Sequence, residues 1–225
     1  MPTALTGPSV AAASGKTRQL VVLCHGYGSD GNDLIGLAPY WQRLLPDAAF
    51  VAPNAPEPCP ANPMGYQWFP IGRLGPDEIL GGVEAAAPVL DSFIDAQLGL
   101  HGLDDAHLAL VGFSQGTMMS LHVGLRRARP PACIVGYSGA LAGPERLKTD
   151  IRGRPPVLMV HGDSDDMLPV ARMHQAVQAL GEAGLAVQWH VSAGLGHSID
   201  ETGLMLGGRF IADAFAGRHG AAAAR

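Results

Sequence analysis

Short apolar runs rich in β-forming residues recur along this chain at 20–24, 49–52, 107–111, 133–137, 157–161 and 187–191, and stretches of helical character fill most intervals between them. No other feature limits the fold as much. A strand that is apolar at successive positions is covered on both faces, and a mainly parallel sheet between two helical layers is the arrangement that covers it. The helical stretches are 33–45, 82–98, 115–127, 170–183 and 199–216. Pro88 falls inside the second of these, where it kinks the helix or marks its first turn. A chain of 225 residues fits one domain with a full-sized core. That domain is expected over 18–217, with 1–17 and 218–225 as small-residue, flexible tails. One interval breaks the rhythm. Residues 53–76 hold many prolines and the aromatic group Tyr66-Gln67-Trp68-Phe69. A long irregular segment in a compact domain is commonly functional. Trp68 and Phe69 either pin it to the core or make it a wall or lid over an apolar pocket.

The bulk numbers exclude several roles. A formal charge of -5, with no basic cluster beyond Arg126-Arg127-Ala128-Arg129 at a helix end, argues against a nucleic-acid surface. No apolar stretch approaches the roughly 18 residues of a membrane span, so stable membrane insertion is not expected. The N-terminus lacks a basic start followed by a hydrophobic block. The 3 cysteines, Cys24, Cys59 and Cys133, are odd in number and far apart. They suit a reducing, cytoplasmic setting and fit neither a disulfide framework nor a zinc site.

Gly112-Phe113-Ser114-Gln115-Gly116 follows the run Leu108-Ala109-Leu110-Val111 and precedes a helical stretch. Strand, G-x-S-x-G, helix is the pattern of a nucleophile elbow, a serine held on a tight and strained turn. Glycines two residues either side remove the side chains that would collide there. A serine hydroxyl needs a base, and the base an orienting acid, each on a loop after a later strand. The run at 157–161 leads into His161-Gly162-Asp163-Ser164-Asp165-Asp166, and the run at 187–191 into Gly194-Leu195-Gly196-His197. Of the 9 histidines, His197 alone follows the acid turn on a glycine-flanked loop after the last strand. His25 and His161 abut glycines at strand ends, where their rings bond to local backbone or neighbouring loops. Pattern alone leaves Asp163, Asp165 and Asp166 open as the acid. The amide of Gln115, next to the serine, and that of Tyr27, in the glycine-rich loop from His25 to Asp33, are the expected donors to an oxyanion. Those glycines do not fit a phosphate-binding loop, because no Walker lysine follows.

Taken together these motifs resemble the phospholipase/carboxylesterase family, which includes acyl-protein thioesterases and small bacterial esterases. The resemblance runs from about Leu20 to Phe215. It rests on Leu23-Cys24-His25-Gly26-Tyr27-Gly28 with Asp30, on Trp68-Phe69, on the elbow, on His161-Gly162-Asp163-Ser164-Asp165 and on Gly196-His197. It implies an α/β-hydrolase fold and an enzyme that cleaves small ester or thioester substrates through Ser114, Asp165 and His197, with neither metal nor organic cofactor. In the family turn H-G-D-x-D the second aspartate is catalytic, which selects Asp165 and leaves Asp166, where proline is common, as a rival. Ser29 ahead of Asp30, and Pro70 where the family has aspartate after Trp-Phe, are departures that bear on substrate preference. Trp68, Phe69, Met167 and Leu195 are candidates to line the acyl site. Lysophospholipase or acyl-protein thioesterase activity is the alternative, and a non-catalytic ligand-binding member of the fold a more distant one. The resemblance also admits a homodimer.

Overall fold

A computed structural model describes residues 5–73 and 75–220. Among the described residues there are nine strands, most of them separated by helices. They are β1 (Ser9–Val10), β2 (Gln19–Cys24), β3 (Ala48–Val51), β4 (Glu57–Cys59), β5 (Asn62–Gln67), β6 (Leu108–Phe113), β7 (Cys133–Tyr137), β8 (Val157–Gly162) and β9 (Val187–Ser192). The α-helices are α1 (Gly31–Ile35), α2 (Ala38–Trp41), α3 (Pro76–His101), α4 (Gln115–Arg126), α5 (Leu147–Asp150), α6 (Ala171–Glu182) and α7 (Glu201–Phe215).

Seven strands form one sheet in the order β1-β3-β2-β6-β7-β8-β9. All its pairings are parallel except β1 with β3, where Ser9 faces Val51 and Val10 faces Phe50. The period-2 geometry of a strand sorts β2 between the two faces. Leu20, Val22 and Cys24 join the apolar layer containing Val83, Leu90 and Met118, while Val21 and Leu23 join the layer of Trp41, Phe50 and Ile211. The first layer lies under α3, α4 and α6, the second under α1, α2 and α7. α4 is buried almost all round because it sits between the sheet and α3.

The expected strands at 133–137, 157–161 and 187–191 coincide with β7, β8 and β9 to within a residue. Three regions differ from expectation. The stretch 33–45 is two short helices, α1 and α2, because the amide of Gly36 already bonds back to Asp33 and closes the first. The second helix begins at Pro76, so Pro88 sits mid-helix, and Ser92 Oγ donates to the Pro88 carbonyl at 2.8 Å. Within 53–76, β4 and β5 form an antiparallel hairpin whose outward residues, Pro58 and Pro63 among them, are exposed. Both ends of the described chain are docked. Ala52 donates to the Pro8 carbonyl and Asn54 to that of Thr6, and the His219 ring bonds the Phe210 carbonyl at 2.9 Å. Residues 1–4 and 221–225, the outermost parts of the expected tails, lie outside the described residues. Among the described residues no helix is long and apolar enough to cross a membrane.

The sheet positions the chemistry through its order. β2 lies between β3 and β6, so the chain leaves β2 toward one side and returns through β6 on the other. A crevice at the carboxyl ends of adjacent strands follows from such a switch. The loop after β2 and the turn after β6 border it.

Candidate active site

Ser114 occupies the turn between β6 and α4 with φ 54° and ψ -116°, a conformation that costs a non-glycine residue about 1–3 kcal/mol. Its surroundings hold it there. The Ser114 amide donates to the Tyr137 carbonyl at 2.9 Å, and Thr117 Oγ1 donates to the carbonyls of Gly112 and Tyr137. The flanking glycines are required by contact. A Cβ at Gly112 would stand 2.2 Å from the Gly116 carbonyl oxygen, and one at Gly116 would stand 1.8 Å from that of Cys24. The turn is therefore pressed against the end of β2. A Cβ at Gly26 would meet the Ser114 Cβ at 3.2 Å, so the loop after β2 lies directly against the serine.

The acid and base loops meet. His197 Nδ1 lies 2.7 Å from Asp165 Oδ2, with the aspartate side chain shut off from solvent and the imidazole 12% exposed. The other oxygen, Oδ1, accepts the amides of Met167 at 3.0 Å and Leu168 at 2.8 Å. Three hydrogen-bond donors thus hold the carboxylate in the orientation that points Oδ2 at the imidazole. Asp163 has a different task, because its Oδ1 accepts the Gly194 amide at 2.7 Å and ties the acid loop to the histidine loop. Asp166 is exposed. Phe113, next to the serine, packs on the His197 ring at 4.9 Å between centroids, and Ser138 Oγ donates to the Ser198 carbonyl at 3.2 Å. These contacts fasten the histidine loop to the elbow. Among the described residues no hydrogen bond ends on the Ser114 hydroxyl. In ligand-free sites such bonds are commonly long and tighten when substrate arrives.

Gln115 opens α4, so its amide has no intrahelical acceptor. In the loop after β2, the Gly28 amide goes to Tyr66 and the Ser29 amide to Gly26, leaving that of Tyr27, just before them, uncommitted among the described hydrogen bonds. Trp68 and Phe69 are 1% and 2% exposed. Trp68 Nε1 donates to the His25 carbonyl at 2.9 Å, and the Phe69 ring lies where a Cβ at Gly82 would stand. Both residues pin the segment, and such closed side chains offer little surface to a substrate. Met167 is 65% exposed and Leu195 half-buried, so both are reachable.

Sequence reasoning placed the His25 and His161 rings on local backbone or neighbouring loops, and they bond to the Gly26 and Leu168 carbonyls at 2.7 Å. It missed that His161 Nε2 also lies 3.2 Å from Asp165 Oδ2, and that the Gln115 side chain is structural. The first contact depends on how the loop after β8 folds back on the end of its own strand, and the second on how segments 47 residues apart meet, so no helical or strand period carries either. At the same end of the sheet a recess of about 320 Å³ is bounded mainly by Pro76, Ile79, Ala140, Leu141 and Ala142, with Arg172 among its polar lining.

Sheet order, elbow and paired acid and base loops define an α/β-hydrolase. The family profile described as phospholipase/carboxylesterase matches residues 5–214, and the chain belongs to that family of carboxylic ester hydrolases. A crystal structure of esterase PE8 superimposes with a TM-score of 0.91 at 44% identity, covering 94% of this chain and 100% of that one. Acyl-protein thioesterase 1 of Gibberella zeae is 29% identical over 209 residues, 85% of this chain and 88% of the relative. Esterase YpfH of Escherichia coli is 29% identical over 184 residues, 81% of this chain and 77% of the relative.

Proposed function

We propose that this protein hydrolyses esters, and thioesters, of small acyl groups through an acyl-enzyme on Ser114. His197 Nε2 takes the serine proton as Oγ attacks the acyl carbonyl carbon. Asp165 fixes the tautomer with the proton on Nδ1 and stabilises the imidazolium that forms. The carbonyl oxygen becomes an oxyanion and is received by the amides of Tyr27 and Gln115, each worth roughly 3 kcal/mol at the transition state. The tetrahedral adduct collapses, the bond to the alcohol or thiol breaks, and His197 gives the proton to that leaving group. Water then attacks the acyl-enzyme by the same route, releasing the acid and restoring the serine.

The observation that carries this reading is the 2.7 Å bond between His197 and the buried Asp165, on loops fastened to the elbow. Met167 and Leu195, both reachable, are the candidate contacts of the acyl group. The acyl-protein thioesterase relatives keep long-chain thioester cleavage as the second reading. A homodimer rests on the resemblance, and a cytoplasmic location on three cysteines that are all free. Ser114→Ala should lower turnover of a butyrate ester by about 10⁵-fold or more, and a fluorophosphonate should label Ser114 in the native protein. Near-native turnover in the variant, or a label found by mass spectrometry on another residue, would overturn the reading. Rates that climb steeply from short to palmitoyl thioesters would favour the second reading over the first.

A further inference from the structure

The two amides that receive the oxyanion belong to different elements. That of Tyr27 follows β2, and that of Gln115 opens α4 after β6. Their separation decides how well an oxyanion is held, and neither element alone can set it. A continuous buried bridge connects them. The Gln115 side chain grips the backbone of the segment before α3 at two points, its Oε1 accepting the Trp68 amide at 2.8 Å and its Nε2 donating to the Phe69 carbonyl at 2.8 Å. The Trp68 indole then donates to the His25 carbonyl at 2.9 Å. The His25 ring closes the path. The Ala55 amide donates to Nε2 at 2.9 Å, so Nδ1 carries the proton and donates to the Gly26 carbonyl at 2.7 Å.

That last bond reaches the amide of Tyr27 directly. The Gly26 carbonyl and the Tyr27 N–H belong to one planar peptide group and point in opposite directions, so fixing the first aims the second. Burial makes each link obligatory. His25 and Gln115 are fully buried and Trp68 is 1% exposed, and a polar group left unpaired in such surroundings loses stability rather than finding water. Burial also pushes the His25 pKa down, which keeps the ring in the neutral form the two bonds require.

We propose that Trp68 and the Gln115 side chain, together with His25, are positioning residues that set the gap between the two oxyanion-binding amides. The inference rests on the acyl-enzyme reading above. Trp68→Phe keeps an aromatic ring in the core and deletes the donor to His25 at the cost of some buried volume. Gln115→Met keeps length and deletes both contacts to the segment. Each variant should lose about 10- to 100-fold in kcat with KM changed less than about threefold, the signature of an interaction made in the transition state. Affinity for an alkylboronic acid, which forms a tetrahedral adduct on the serine, should fall in proportion. The double variant should lose less than the product of the two single losses, because both break one bridge. Rates are normalised to the sites that a fluorophosphonate titrates at completion, so poor folding lowers the yield of sites without imitating the effect. Trp68→Phe with kcat and boronate affinity within twofold of the native protein, or with a change in KM alone, would overturn the inference. If Ser114→Ala is inactive at the same time, the inference falls alone; an active Ser114→Ala removes the reading beneath it.

Discussion

Asp165 is closed off from solvent, accepts two amides on one oxygen and meets the His197 imidazole with the other, while its neighbour Asp166 is exposed. A carboxamide at 165 keeps the size but can present a donor where the imidazole needs an acceptor, which turns the histidine to the wrong tautomer. Asp165→Asn should therefore lower kcat on a butyrate ester by about 10³- to 10⁴-fold. Asp166→Asn should stay within about threefold, and the reverse order would move the acid to 166. Ser114 and His197 were legible in the sequence because strand-turn-helix spacing and chain order leave each little competition. The aspartate was not legible from pattern, since three carboxylates share one turn and only the direction of each side chain separates them. The family resemblance selected Asp165, and the hydrogen bond to His197 gives that choice its physical content. Trp68 and Phe69 show the opposite case. An aromatic pair in a proline-rich segment reads equally as a pocket wall or as an anchor, and only burial tells them apart.

At the scale of elements, Arg127 joins three segments. It caps the end of α4, and its guanidinium reaches Asp91 at 2.5 Å and Asp95 at 2.7 Å on α3, and Asp105 in the turn that leads into β6. The arginine side chain is 7% exposed, and the carboxylates push its pKa up against the opposing effect of burial. Removing the guanidinium would strand Asp105, itself mostly buried, and would unfasten the strand that ends in the elbow. Arg127→Met should lower unfolding stability in urea by about 2–4 kcal/mol, the loss being moderated by the exposure of Asp91 and Asp95. Arg127→Lys should recover less than half, since a point charge cannot serve three carboxylates at once. Unchanged midpoints in both variants would show that the cluster is only a solvated surface feature. The sequence marked this arginine as a helix-end cation but gave no hint of its partners, which lie 22 to 36 residues away. The β4–β5 hairpin was hidden for a related reason. Its strands bond to the loop after β2 through Gly28 and Tyr66 and leave most of their residues exposed, so they carry no alternating apolar pattern, and their prolines read as breakers.

For the whole molecule, alternating apolar runs and helical stretches were enough to anticipate a covered parallel sheet, because burial on both faces leaves a mark on the inner strands β2, β3, β6, β7 and β8. The order of strands left no such mark, yet it is what puts the β2 loop beside the elbow. The same two-sided burial closes in groups that titrate. His122, on α4 between the sheet and α3, has its pKa lowered from 6.5 to about 4, first by burial and then by the Arg126 cation, with Arg146 adding to the effect and Asp150 opposing it. In the unfolded chain this histidine takes up a proton near pH 6.5, whereas the folded protein resists until about pH 4. Between those values the unfolded state binds more protons, so the contribution to stability is whole above pH 6.5 and is lost as the pH falls toward 4. His25, also depressed by burial, acts with the same sign. His122→Leu removes one of the two titrations and keeps the other. Urea unfolding at pH 7.5 and pH 5.0 should show the variant losing less stability than the native protein over that interval, by about 1 kcal/mol after allowing for screening near the helix edge. An identical loss in both would mean that His122 is charged in the folded protein, and the acid sensitivity of the fold would then have to arise from His25 and the carboxylates alone.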